Sequence, residues 1–175
     1  MFEYSAKPLI DVLPTDKPLV GLEIGCDRGD SSVGLLKDLP NVLKLTSIDP
    51  YINYIDWNGV NENTRDFFYL HSKDRLSRFG DRHELVRKTS DDALVDFADE
   101  TYDFIFIDGL HTYEQVLIDC RNYYSKIKSG GIFAGHDYRV IEGVRNAVNE
   151  FFAEIDQKIS YSDSYESDVW YLIKP

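Results

Sequence analysis

A chain of 175 residues that is 43% hydrophobic and 14% aromatic has the size and apolar content of one compact domain, so a single domain over residues 1–175 is expected, with residues 1–18 as an N-terminal extension. Nineteen basic against thirty-one acidic side chains leave a formal charge of -12 spread along the chain. That balance argues against nucleic acid as a partner, because a duplex carries about one negative charge per 1.7 Å, and the densest basic stretch, Lys73 to Lys88, is broken by Asp74, Asp81 and Glu84. No apolar run reaches the roughly eighteen residues of a membrane span, and the start MFEYSAKPLI lacks the basic and apolar segments of a signal peptide. The expectation is a cytoplasmic protein with no membrane partner.

In chain order, Pro8, Pro14 and Pro18 punctuate the first segment, and Leu19 to Ile24 then reads as a buried strand. Ser31 is expected to cap a helix that stops at Pro40, followed by a strand from Leu43 to Ile48. Tyr51, Tyr54 and Trp57 lead to the turn signal Asn58-Gly59, and Asn61 caps a helix reaching about Phe79 that carries Phe67, Phe68 and Tyr69. A strand from Glu84 to Lys88 precedes a helix capped by Ser90 and running from Asp91 to Asp99; the next strand is Tyr102 to Ile107. Thr112 and Gln115 have capping-box spacing, Tyr113, Val116, Leu117, Cys120, Tyr124 and Ile127 form an apolar face, and Gly130-Gly131 is expected to end that helix. After a strand at Gly131 to Ala134 and a helix from about Val140 to Ile155, two strands close the chain, Lys158 to Ser162 and Val169 to Ile173. Only the polar turn Asp163 to Asp168 joins those two, too short for a helical crossover, so they must pair antiparallel. The expected fold is α/β, a three-layer Rossmann-like sandwich whose seven-stranded, mostly parallel sheet has an antiparallel last strand.

Chemistry gathers at the strand exits. Gly21, Gly25 and Gly29, spaced by four, let backbone approach a ligand closely at a strand-to-helix turn; this is not the glycine spacing of the nicotinamide-binding fingerprint. Asp49 follows the second strand, where a carboxylate can accept both hydroxyls of a ribose or simply initiate a turn before Pro50. Ser90 and Asp91 follow the third, as helix cap or as contacts to adenine. Asp108 leaves the fourth strand, and His136 and Asp137 leave the fifth at the same edge. An oxygen-rich set with one imidazole suits Mg²⁺, Mn²⁺ or Ca²⁺. His111 faces the same cleft, and an imidazole there can take a proton from a hydroxyl acidified by the metal. Singly, each of these residues also reads as a turn or cap; together they point to a site. Cys26 and Cys120 read as buried, reduced thiols, and His71 and His83 as surface or strand-edge residues.

These motifs together resemble the class I S-adenosylmethionine-dependent methyltransferases, and within them the metal-dependent O-methyltransferases related to macrocin O-methyltransferase. The resemblance covers nearly the whole chain after about Leu19. It implies that Glu23, Gly25, Gly29 and Ser31 belong to the loop holding the methionine portion of the cofactor, Asp49 to the ribose, and Ser90 with Asp91 to adenine. It further implies that Asp108, near the cofactor, binds the metal with His136 and Asp137, and that His111 is the catalytic base. His136 stands where relatives usually carry Asp or Glu, which leaves a softer ion, a weakly bound one or none as alternatives. The implied reaction is in-line transfer of a methyl group to a hydroxyl of a small molecule, a sugar or similar. The aromatics between Tyr51 and Phe79 are the candidate wall for that acceptor. Two rival readings stay open: a binding protein that keeps the cofactor without transfer, and a nicotinamide-dependent oxidoreductase. A homodimer also stays open, since no exposed apolar seam is readable.

Overall fold

Seven segments form the strands of one sheet: β1 (Leu19–Ile24), β2 (Val42–Ile48), β3 (His83–Val86), β4 (Tyr102–Ile107), β5 (Ile127–His136), β6 (Ser160–Tyr161) and β7 (Val169–Ile173). This computed structural model describes residues 4–53, 55–56, 59–60, 65–162 and 168–175, with backbone alone at 55, 56, 59 and 60. The strand order is β3-β2-β1-β4-β5-β7-β6, and β7 is antiparallel to both neighbours while the other pairs are parallel. A separate antiparallel hairpin pairs Ile55–Asp56 with Gly59–Val60.

The helices divide between the two faces. On one side, α1 (Lys7–Val12), α2 (Asp30–Asp38) and α3 (Arg65–Ser77) press Leu9, Ile10, Leu35, Leu36 and Leu76 against Leu19, Leu45, Phe104 and Phe106. On the other, α4 (Ser90–Ala93), α5 (Tyr113–Tyr123) and α6 (Glu142–Glu154) cover Leu22, Ile24, Ile105 and Ile107 with Ala93, Val116, Cys120, Val148 and Phe151. Burial on both faces is why the central strands read as continuous apolar runs and not as alternating ones. Each fully buried Leu or Phe contributes about 1.5–3 kcal/mol relative to exposure. Cys26 and Cys120 are buried free thiols. Among the described residues, no helix is long and apolar enough to cross a membrane.

Register aligns the strand exits. Ile24 sits beside Ile48 and Ile107, Ile48 beside Val86, and Ile107 beside Gly135. The next residue of each strand therefore emerges at a common carboxyl edge, stitched by Gly25 N–H to Ile48 O (2.8 Å), Asp49 N–H to Val86 O (3.1 Å) and Asp108 N–H to Ile24 O (2.7 Å). Ligands of open α/β sheets bind at this edge.

Several boundaries differ from the sequence expectation. The cap of α2 is Gly29 in the left-handed region (φ 77°), and Ser31 lies in the first turn with its hydroxyl turned to the N-terminal segment. Thr89, not Ser90, caps α4 by accepting from Asp92 N–H at 3.1 Å; α4 then tightens into a 3-10 turn at Leu94–Asp96 and does not reach Asp99. α5 also ends early, in a 3-10 turn at Tyr124–Lys126, and Gly130 and Gly131 lie inside β5, hydrogen-bonded to Lys174. Tyr54, Trp57, Asn58, Asn61 and residues 163–167 lie outside the described residues.

Candidate functional site

β1 exits into Gly25-Cys26-Asp27-Arg28-Gly29. Gly25 has φ +92°, and a Cβ there would stand 2.0 Å from the Asp108 carbonyl oxygen, so only glycine allows β1 and β4 to leave the sheet this close together. Asp49 shapes the loop from β2: its Oδ2 accepts from Cys26 N–H (3.0 Å) and Asp27 N–H (2.9 Å), and its Oδ1 from Tyr51 N–H (2.8 Å). Asp27 and Tyr51 are left-handed non-glycine residues (φ 45° and 49°), strain of the kind that such contacts sustain at functional sites. Beneath the loop, Glu23 is fully buried and accepts from Ser32 Oγ and from Ser47 Oγ (2.6 Å). Burial pushes its carboxyl up to about 7, with the charges of Asp108 and Asp49 adding to it and the two serine bonds opposing.

Two cavities flank the loop. The larger, about 380 Å³, runs from Gly25 and Asp49 to Ser90, Asp91, Gln115 and Asp119, with Arg65 and His111 on its border. The smaller, about 250 Å³, lies toward Tyr4, Ser5, Arg28 and Ser31. Gly25, Asp27 and Asp108 border both. Of the cofactor residues expected from sequence, Gly25, Asp49, Ser90, Asp91 and Asp108 line the larger cavity and Ser31 the smaller; Glu23 and Gly29 support the loop without lining either. Tyr51, Phe67, Phe68 and Tyr69 line neither: Tyr51 is buried on Ser72, Phe67 is exposed, and Phe68 lies under the guanidinium of Arg28.

At the junction, β4 and β5 bring their exits together. His111 Nε2 is 2.9 Å from Asp137 Oδ2 and 3.6 Å from Asp108 Oδ1, while His136 Nδ1 is 3.2 Å and 3.7 Å from the same two oxygens. Thr112, accepting from Gln115 N–H, starts α5 directly after His111 and fixes where that imidazole enters. Asp137 is held in the left-handed region (φ 62°), with its carbonyl accepting from Ile141 N–H. Burial opposes a charge on His111, yet hydrogen bonds and charge from Asp108 and Asp137 override it and push the imidazole up to about 10. His136 is raised against the same burial, mainly by Asp137, and burial of Asp137 is outweighed by the two imidazoles, which hold its carboxyl well below the usual range. Ligand atoms of Asp108, His111 and Asp137 all lie within 4.8 Å of one another, a spacing one divalent ion can bridge. All four residues expected from sequence thus meet; the tightest trio contains His111, with His136 beside it.

Three site residues, Ser5, Arg65 and Asp119, had no place in the sequence reading, and Gln115 had one only as the capping-box partner of Thr112. Ser5 reaches Asp108, and Arg65 lines the larger cavity while pairing with Asp27 at 3.3 Å. Gln115 donates to Ser90 Oγ (3.2 Å) and Asp119 Oδ1 (3.1 Å), and burial pushes the Asp119 carboxyl up to about 6. A carboxylate four residues after Gln115, on the apolar face of α5, was the available signal for that pair.

Residues 22–138 match the family model described as a methyltransferase domain. An uncharacterized protein of Acanthamoeba polyphaga mimivirus, R132, is 29% identical over 143 residues, which are 78% of this chain and 61% of that protein; the chain thus spans about three fifths of this curated relative. Among solved structures, the O-methyltransferase NovP superposes with a TM-score of 0.67 at 19% identity, covering 91% of this chain and 73% of that one. A candidate methyltransferase of Streptococcus mutans, SMU.1697c, solved with S-adenosylhomocysteine, gives 0.66 at 14% identity and covers 98% of both chains. At such identities the structures share a fold.

Proposed function

We propose that this chain, which belongs to the methyltransferase domain family and is an S-adenosylmethionine-dependent methyltransferase, moves the methyl group to a hydroxyl oxygen of a small molecule with the help of a divalent metal ion. One observation carries the reading: Asp108, which borders both cavities, and His111, which borders the larger, converge with His136 and Asp137. The sulfonium cofactor supplies an activated methyl group for in-line displacement. Asp49 has lone pairs left to accept ribose hydroxyls after its three backbone bonds, and Ser90, Asp91 and Asp119 border the far end, where a base would lie. Asp108 places a carboxylate on the shared border, complementary to a sulfonium, while the Asp27 carboxylate there is paired with Arg65. Asp108 and Asp137, with His136, are the residues that would hold the metal. An ion held there would lower the pKa of a neighbouring hydroxyl and offset the carboxylate charge that raises His111. His111, on the border of the larger cavity, is the group that would accept the hydroxyl proton. The acidic surface favours a small acceptor over nucleic acid.

Calorimetric titration with S-adenosylhomocysteine, NAD and Mn²⁺, with methyl transfer followed in parallel, tests this reading. S-adenosylhomocysteine is expected to bind and NAD not to. His111→Ala is expected to keep binding of S-adenosylhomocysteine and Mn²⁺ but lose transfer. Binding of NAD alone sinks the reading, and so does wild-type transfer by His111→Ala; loss of Mn²⁺ in that variant would make His111 a ligand instead of the base.

A further inference from the structure

The carboxylate of Asp108 is reached from the N-terminal segment, 103 residues away. Ser5 Oγ donates to Asp108 Oδ2 at 2.5 Å and lies 2.8 Å from Ser31 Oγ, which in turn accepts from Ala6 N–H at 3.3 Å. A carboxylate only accepts, so the single Ser5 proton goes to Asp108 and Ser31 must donate to Ser5. The order is fixed: Ala6 N–H to Ser31, Ser31 to Ser5, Ser5 to Asp108. A donor that is itself receiving a hydrogen bond is strengthened by it.

The segment is anchored well enough to deliver that hydroxyl. Ala6, Leu9, Ile10 and Leu13 are buried in the core cluster beneath α2. The ring of Tyr4 lies so close over Gly34 that a Cβ there would come within 2.3 Å of it, and its hydroxyl donates to Asp38 on the same helix. Both neighbours of Ser5 are therefore held against α2 or the core. With Oδ2 taken from this side, the other oxygen of Asp108, Oδ1, is the one that faces His111 Nε2 (3.6 Å) and His136 Nδ1 (3.7 Å).

We propose that Ser5 is a positioning residue for Asp108: it fixes which carboxylate oxygen is presented to the two imidazoles, and it makes the N-terminal segment part of the site. The inference deepens the methyl-transfer reading and rests on it for its functional meaning. Its test needs no cofactor, metal or acceptor, so the two can fail separately. Ring ¹⁵N NMR of the four histidines in the full chain, in metal-free buffer at one pH, reads the hydrogen bonding of each imidazole nitrogen. In Ser5→Ala the His111 and His136 signals are expected to move while those of His71 stay, and Ser5→Thr, which restores the hydroxyl, is expected to return them. Unmoved His111 and His136 signals in Ser5→Ala would overturn the proposal. A threonine variant displaced like the alanine one would also do so, by assigning the effect to packing. Should Ser5→Ala fail to fold, Ser5→Cys, close in size with a weaker donor, replaces it and is read for the same two outcomes.

Discussion

Replacing Glu23 by Gln should shift stability in favour of the variant progressively as pH rises. Glu23 is fully buried, with its Oε1 lacking a hydrogen-bond partner among the described residues, and burial raises its carboxyl from 4.5 to about 7. An acid whose folded pKa lies above its unfolded value leaves stability intact below 4.5 and removes it as pH climbs to about 7, because the unfolded chain ionises first. At 1.36 kcal/mol per pKa unit, the cost is about 1 kcal/mol at pH 5 and about 3 kcal/mol at pH 8. Gln keeps an acceptor for Ser32 and Ser47 and cannot ionise; any cost of its unpaired amide is independent of pH. His83, pushed down to about 4 chiefly by burial, has the opposite sign, losing stability as pH falls from 6.5, but it is present in both proteins. Thermal unfolding followed by circular dichroism at pH 5 and pH 8 should show the Tm gap between variant and wild type widening by roughly 4–8 °C. An equal gap at both pH values would refute a raised Glu23.

Gly25→Ala should cost at least about 1–2 kcal/mol from its left-handed backbone alone, and more from the clash with Asp108. A calorimetric titration should also find S-adenosylhomocysteine binding lost; a variant that binds normally would show that the loop can move. Asp49→Ala leaves the N–H groups of Cys26, Asp27 and Tyr51 without their acceptor, each bond to a charged group being worth about 1.5–3 kcal/mol, so urea unfolding should register a large loss of stability and calorimetry a weaker affinity. Tyr123→Phe removes the 2.6 Å bond to the Ser90 carbonyl and should cost about 1–2 kcal/mol in the same assay, with a loss below 0.5 kcal/mol counting against that bond.

β1, β4 and β7 were legible to the residue because each is a mainly apolar run followed by a glycine or a polar residue. The meeting of Asp108 and His111 with His136 and Asp137 followed from the same logic, since parallel neighbours must open at one edge. Thr112 was read correctly as the cap of α5, whereas the caps of α2 and α4 were read one or two residues late. The side chains of Ser31 and Ser90 look like caps, whereas the left-handed backbone of Gly29 and the hydroxyl of Thr89 take that role and free the serines for other contacts. Gly130-Gly131 looked like a helix stop because the pairing that places it in β5 comes from Lys174, at the far end of the chain. The contribution of Ser5 was invisible for a similar reason: its polar partners, Ser31 and Asp108, lie 26 and 103 residues away and no local pattern announces them.

Where the methyl group goes decides the central claim. The wild-type protein would be given S-adenosylmethionine labelled at the methyl carbon, Mg²⁺ and a mixture of small molecules bearing hydroxyl, amine or thiol groups, and the labelled product identified by mass spectrometry with and without a chelator. The result expected is a methyl ether whose formation stops when the chelator is added. Label on nitrogen or sulfur, or a methyl ether formed undiminished in the chelator, would contradict metal-assisted transfer to oxygen.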